Sequence, residues 1–241
     1  WLKEKNIPCK FKHLNASSQY HYPYQYNSSL YHCDVAYIGG YQVQYKGVDM
    51  INQFIKPCVG KDFGFTIYGN RLWKSEIQKK ALITDTYFKQ EYYDESYDPH
   101  YYGILPMQDF NICCKNTKIM VNFNADEQRD GVKVNLKNGT FGVNCLNDRP
   151  IWILACNGFV ITDDFIATRT FFESDGKENC PVVFSTGGDD LIDKIRYYLD
   201  HEDERLEIAN KGHDFIKKHK LYTDDTADMV VEEYYRIKNG L

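Results

Sequence analysis

No stretch of the 241 residues approaches the ~20 consecutive apolar residues that a membrane-spanning helix needs, so no integral membrane segment is expected. A basic excess is also missing: 29 Lys and Arg stand against 34 Asp and Glu, a formal net charge of −5. A protein that grips a nucleic-acid backbone normally carries a basic face, so nucleic acid is not an expected partner. Eight cysteines, at 9, 33, 58, 113, 114, 145, 156 and 180, contain no Cys-x-x-Cys pair. The seven histidines form no i, i+4 pair beside a carboxylate, so no metal site is expected. Scattered single thiols fit a reducing compartment. The charged start Trp1-Leu2-Lys3-Glu4-Lys5 is not a secretory leader, and a cytoplasmic location is expected for a chain trimmed ahead of Trp1. Neither a Gly-x-Ser-x-Gly elbow nor a Gly-x-Gly-x-x-Gly fingerprint occurs, which sets aside the common serine hydrolases and nicotinamide enzymes.

What is present is an alternation of short apolar runs with helical stripes. Asp34–Ile38 reads as a buried strand and Gly39-Gly40 as a tight turn. Lys46 to about Lys56 follows as a helix with Val48, Ile51 and Ile55 on one face. Phe63–Tyr68 reads as the next strand, closed by Gly69-Asn70. Residues 74–100 are acidic, Tyr-rich and weakly periodic. Tyr101–Leu105 reads as the edge of a new strand, and Pro106 as the first turn of a helix through Cys114. Lys118–Phe123 is nearly unbroken in its apolar character, as in a strand covered on both faces. After a helix-like run ending at Asn157-Gly158 comes the strand Phe159–Ile161, then an acidic turn at Thr162-Asp163-Asp164. A helix near Phe165–Phe172 and a strand Val182–Phe184 follow, with Asp189 or Asp190 capping the next helix. Two further helices span about 203–218 and 224–238. No hairpin signal separates the strands, so the expected fold is α/β, a doubly wound parallel sheet with C-terminal helices. Residues 1–33, polar and rich in Tyr, read as a linker or the remnant of a preceding domain, and 34–241 as the folded unit.

Several residues could carry chemistry. The turn Gly39-Gly40 through Lys46-Gly47 joins a strand to a helix, where backbone N–H groups and a helix N-terminus attract a diphosphate, and Lys46 adds a positive charge. Tyr68, Gly69 and Asn70 end the second strand, and glycine there allows close backbone approach to a ligand. Asn122 and Asn124 alternate with Phe123 and so share a face, where amides are costly unless paired. Arg149 precedes Pro150 at a helix start. Helix, Gly158, strand, then Thr162-Asp163 is the order by which α/β nucleotide-binding domains set polar groups at the carboxyl edge of a sheet.

The run from Arg149 through Ala155-Cys156-Asn157-Gly158-Phe159 to Thr162-Asp163 resembles the donor-binding, C-terminal half of GT-B glycosyltransferases. The branch it is most similar to is the CgeB-like, glycosyl transferases group 1 family. Lys46 falls on that family's diphosphate-gripping Lys, while Gly40 stands in place of its Arg. Tyr102 and Ile104, in Tyr102-Gly103-Ile104-Leu105-Pro106, resemble the element along which the nucleotide base lies. Arg149 matches the Arg ahead of the Ala-Cys-Gly segment. Two glutamates of the large retaining families, the second of which binds the donor ribose, correspond to Asn144 and Trp152 here. The stretches Asp190–Leu199 and Asp203–Ala209 continue the resemblance, which covers about residues 34–238.

The resemblance implies a metal-independent enzyme, with Arg149 and Lys46 as catalytic residues stabilising the leaving diphosphate. Gly39, Gly40, Tyr68, Asn70, Tyr102, Ile104, Asn122, Asn124, Asn157, Gly158, Thr162 and Asp163 would line the donor. No cofactor is implied beyond the nucleotide-diphosphate sugar as co-substrate. Its partners would be a glycan or protein acceptor and an N-terminal domain or partner chain completing the cleft. Two alternatives stand beside it. One is a non-catalytic glycan- or nucleotide-binding relative whose donor site has decayed, and the other an unrelated doubly wound protein of the flavodoxin or epimerase sort.

Overall fold

The computed structural model describes residues 16–41, 47–124, 132–136, 139–143 and 147–239. Five parallel strands form the central sheet: β1 (Cys33–Ile38), β2 (Phe65–Tyr68), β3 (Thr117–Val121), β6 (Val160–Asp163) and β7 (Val183–Ser185), in the order β2-β1-β3-β6-β7. Strand residues alternate between two half-cores. Val35, Tyr37, Phe65, Ile67, Ile119, Val121 and Ile161 enter one, which also takes in Ile51 and Phe54 of α1 (Gly47–Phe54) and Leu191, Ile192 and Ile195 of α6 (Gly188–Asp200). Ala36, Tyr68, Met120 and Val160 enter the other, beneath α3 (Phe110–Asn116), α4 (Arg149–Ala155), α5 (Ile166–Phe172) and α7 (Glu202–Lys218). Helices on both faces explain why these strands read as apolar runs rather than as alternating ones.

The sheet winds outward from β1 to β2, then returns past β1 to β3 and continues to β6 and β7. Its direction therefore reverses between β1 and β3. In open α/β sheets a reversal of this kind is where a ligand crevice forms, outside the carboxyl ends of the two strands.

Several expectations need correction. Residues 101–105 do not form a strand: Tyr101 makes a single bridge to Ile67, and Gly103 turns away at φ 97°. Pro106 stands ahead of a 3-10 turn, Met107–Asp109, that leads into α3. An antiparallel hairpin, β4 (Val132–Leu136) with β5 (Gly139–Val143), lies in the sequence between β3 and α4. The alternation of Val132, Val134 and Leu136 ahead of Asn138-Gly139 is a hairpin signal, and it was present in the sequence. Strand β6 runs through Asp163 rather than ending before Thr162. Helix α6 is capped by Gly187, at φ 85°, and Asp190 reaches back to accept from the Thr186 N–H at 2.9 Å. The Tyr-rich 74–100 region folds as α2 (Ser75–Thr84) followed by 3-10 turns, tied together by Asp98 and Asp94 accepting from Ser75 and Ser96.

Residues 16–32 lie against the folded unit. Ala16 bridges Tyr222 just before α8 (Thr223–Lys238), and the His21 ring stacks on Trp152 at 4.8 Å.

Candidate functional site

Arg149 opens α4, with Pro150 in the first turn, where its missing N–H is no loss. From there its side chain crosses the carboxyl ends of β1 and β3. Nη1 donates to the Tyr37 hydroxyl at 3.0 Å and to the Ile38 carbonyl at 2.7 Å, and Nη2 to the Phe123 carbonyl at 3.4 Å. The guanidinium lies 5.3 Å from the Tyr37 ring centroid, and that ring is itself stacked on Phe123 at 5.2 Å. Every one of these acceptors is neutral. Among the described residues no carboxylate pairs with Arg149; Asp164 is engaged by Arg169 at 2.8 Å instead, and that hydrogen bonding holds its carboxyl below the usual range. A half-buried cation with no counterion among the described residues, at the topological switch, is a ready partner for an anion.

The glycine turn abuts this cation. Gly39 donates its N–H to the Tyr68 carbonyl at 2.8 Å, and its own carbonyl accepts from Trp73 Nε1 at 2.8 Å. A Cβ on Gly39 would fall 2.2 Å from Arg149 Nη1 and 2.3 Å from the Tyr37 hydroxyl, so no larger residue fits. Asn70 braces the far end of the turn: its Oδ1 accepts from the Tyr41 N–H at 3.0 Å and its Nδ2 donates to the Tyr41 carbonyl at 3.3 Å. Gly40, half-buried, lies between these fixed points. Lys46 and Asn144 lie outside the described residues.

Behind Arg149 sits a buried polar network. Asp163 Oδ1 accepts from the Asn124 N–H at 3.0 Å, from Asn124 Nδ2 at 2.9 Å and from the Thr162 hydroxyl at 3.3 Å. Asn124 Nδ2 also reaches Thr168 at 3.3 Å, and Asn122 Nδ2 donates to Thr162 at 3.1 Å. Asn124 Oδ1 accepts from the Asn147 N–H at 2.9 Å, Asn147 Nδ2 donates to the Phe123 carbonyl at 2.8 Å, and Asn147 Oδ1 accepts from the Arg149 N–H at 3.2 Å. Asn124, which looked costly on an apolar strand, is thus paired through both its amide nitrogen and its oxygen, whereas Asn122 is paired through Nδ2 and its buried Oδ1 meets no partner among the described residues. Asn122, Asn124, Thr162 and Asp163 are all buried, so they shape the crevice from behind rather than line it.

Other expected site residues fall elsewhere. Asn157 and Gly158 precede β6 and so stand at the amino edge of the sheet, opposite Arg149. They stop α4: Asn157 adopts φ 60°, its N–H bonds the Leu154 carbonyl, and Gly158 N–H bonds the Ile153 carbonyl, a left-handed helix cap. A Cβ on Gly158 would meet Ile153 at 2.8 Å. The Tyr68 side chain is buried between Tyr31 and Tyr102. Tyr102 and Ile104 are exposed, and Tyr102 is among the residues lining a hollow with Asp34, Gly64 and Thr66 at the amino ends of β1 and β2. Trp152 stacks on His21, with its ring edge-on to Phe110. Sequence reasoning missed Tyr37, Trp73, Asn147 and Thr168. Asn147 alone carried a signal, an Asn two residues ahead of a helix start, where its carbonyl caps the turn.

Among the described residues no group of three His, Cys, Asp or Glu side chains is arranged to hold a metal ion, and no helix is long and apolar enough to cross a membrane. A family model described as glycosyl transferase-like matches residues 50–230. Curated protein sequences yield no match. Solved structures do. Sucrose-phosphate synthase from Thermosynechococcus elongatus superposes with a TM-score of 0.59 at 11% identity, over 95% of this chain and 52% of that one. T4 phage BGT in complex with UDP and Mn2+ gives 0.56 at 14% identity, over 90% and 52%. The same T4 protein with its UDP-glucose substrate gives 0.54, over 90% and 53%. The chain spans about half the length of each.

Proposed function

The chain belongs to the glycosyl transferase-like family, with a Rossmann-like parallel sheet that matches GT-B folds, and from that premise we propose that its β1/β3 crevice binds the diphosphate of a nucleotide sugar. The reaction is transfer of the sugar to an acceptor hydroxyl. The observation that carries this reading is Arg149: a guanidinium whose acceptors among the described residues are all neutral, fixed at the topological switch against Gly39, where a Cβ would collide with it. Charge develops on the departing diphosphate during transfer. A preorganised Arg stabilises that charge at little reorganisation cost, so no metal ion is required in this scheme. Lys46, close in sequence to the glycine turn, is the second cation of the scheme. The T4 structures hold UDP and UDP-glucose, which makes UDP the first probe to use. The acceptor, and a second lobe or partner chain facing the crevice, complete the proposal. The six described cysteines are free, which fits the reducing cytoplasm.

The direct test is calorimetric titration of the chain with UDP. Arg149→Ala is expected to weaken binding by about 2 kcal/mol, the worth of a charge-assisted hydrogen bond, and an unchanged affinity would place the site elsewhere. One observation favours a second reading, binding without transfer: Trp152, at the position expected to hold a ribose-binding acid, is committed to the His21 stack. Sugar release from UDP-sugars by a chain that binds UDP separates the two.

A further inference from the structure

The cation in the crevice is only as well placed as the start of the helix that carries it. That start is not held by its own cap, since Asp148 at the N-cap makes no side-chain cap bond. Asn147 holds it instead, through three hydrogen bonds in three directions. Its N–H goes to Asn124 Oδ1 at 2.9 Å, its Nδ2 to the Phe123 carbonyl at 2.8 Å, and its Oδ1 takes the Arg149 N–H at 3.2 Å. The Phe123 carbonyl is shared, because Arg149 Nη2 reaches it as well. Asn124 is fully buried, and both its N–H and its Nδ2 are fixed on Asp163 Oδ1. The line Asp163, Asn124, Asn147, Arg149 therefore runs from the end of β6, across the end of β3, to the first residue of α4. Each member fixes the next through a hydrogen bond of ordinary length.

We propose that Asn147 is the positioning residue for Arg149, setting the reach of its guanidinium into the crevice, with Asn124 and Asp163 locking Asn147 from behind. The inference rests on the reading of the crevice as a diphosphate site. It goes further by naming a residue that touches no ligand yet governs how well one is held. Asn147 is half-buried and outside both half-cores, so replacing it leaves the packed interior intact.

The test is a double-mutant cycle read by UDP titration of the full chain: wild type, Asn147→Ala, Arg149→Ala and the double variant. Asn147→Ala is expected to weaken UDP about tenfold, and the double variant to bind no worse than Arg149→Ala alone, since a residue that acts through Arg149 then has nothing to act on. Asn147→Ser keeps a hydroxyl able to accept from the Arg149 N–H and is expected to fall between wild type and Asn147→Ala. Equal losses from Asn147→Ala in both backgrounds, or no loss in the wild-type background, overturn the positioning role. An Arg149→Ala variant that binds UDP normally overturns the site itself, a separate outcome. Should wild type not bind UDP, the order of the Arg149 Nε–Hε bond in the ligand-free chain decides by nitrogen relaxation. It is expected to fall in Asn147→Ala, and an unchanged value overturns the proposal.

Discussion

At the scale of single residues, the crevice turns on one atom that is missing. Gly39 has no Cβ, and the space a Cβ would need is filled by Arg149 Nη1 and the Tyr37 hydroxyl at 2.2 and 2.3 Å. Tyr37 cannot give way, because it is buried between Phe123 and Trp73. Relief of a Gly39→Ala clash therefore needs a shift of the turn's own backbone as well as displacement of the arginine. Gly39→Ala is expected to cost about 1–3 kcal/mol in urea unfolding, the range of an overpacked site, and to lower UDP affinity as Arg149→Ala does. A variant with normal UDP affinity would mean that the guanidinium has another productive position. Gly69, at the end of the neighbouring strand, is constrained in a similar way: its Cβ would fall 1.9 Å from the Gly39 carbonyl, so the two turns can touch only as glycines.

At the scale of elements, α4 joins the two edges of the sheet. Its first residue places Arg149 at the carboxyl edge, and its end places Asn157 in a left-handed cap at the amino edge. If Asn157 serves the helix rather than a ligand, Asn157→Gly is expected to change stability by less than ~1 kcal/mol and UDP affinity not at all. Asn157→Val, forced into the same backbone conformation, is expected to cost about 1–2 kcal/mol. Loss of UDP binding in the glycine variant would return Asn157 to the site. The same element shows how far the sequence could be read. The β1-α1-β2 order, β3 and the helices near the C-terminus were legible because doubly covered strands and amphipathic helices leave periodic traces. The segment Asn157-Gly158 to Thr162-Asp163 was legible as helix, stop and strand. The expectation that both its ends line one site fails, however, because a strand rising ~3.3 Å per residue separates Gly158 from Asp163 by roughly 16 Å. Tyr37 was illegible because it sits on a buried strand like any core aromatic, and its role appears only when Arg149 arrives from far along the chain. The 3-10 turns between 90 and 109 are three to six residues long, too short to leave a periodic trace, so their pattern could not be read in advance.

At the scale of the whole molecule, a parallel sheet buried on both faces directs its polar business to the strand ends. Winding order then decides which ends diverge. Here they are the ends of β1 and β3, and the described half-buried cation that bridges them is Arg149. The chain covers about half of the solved structures it superposes on, 52% in two cases. In the proposed function the crevice is one wall of a site, holding the diphosphate and faced by an acceptor-binding surface. Holding the diphosphate is the central claim, and it needs no second wall to be tested. The most direct measurement is the melting curve of the chain with UDP, GDP, CDP, dTDP and ADP, each beside an Arg149→Ala control. One of these nucleotides is predicted to stabilise the wild-type chain by ~2.7 kcal/mol at a hundredfold excess over its Kd, with the shift lost in the variant. No shift from any of the five, or a shift that survives Arg149→Ala, would contradict the account.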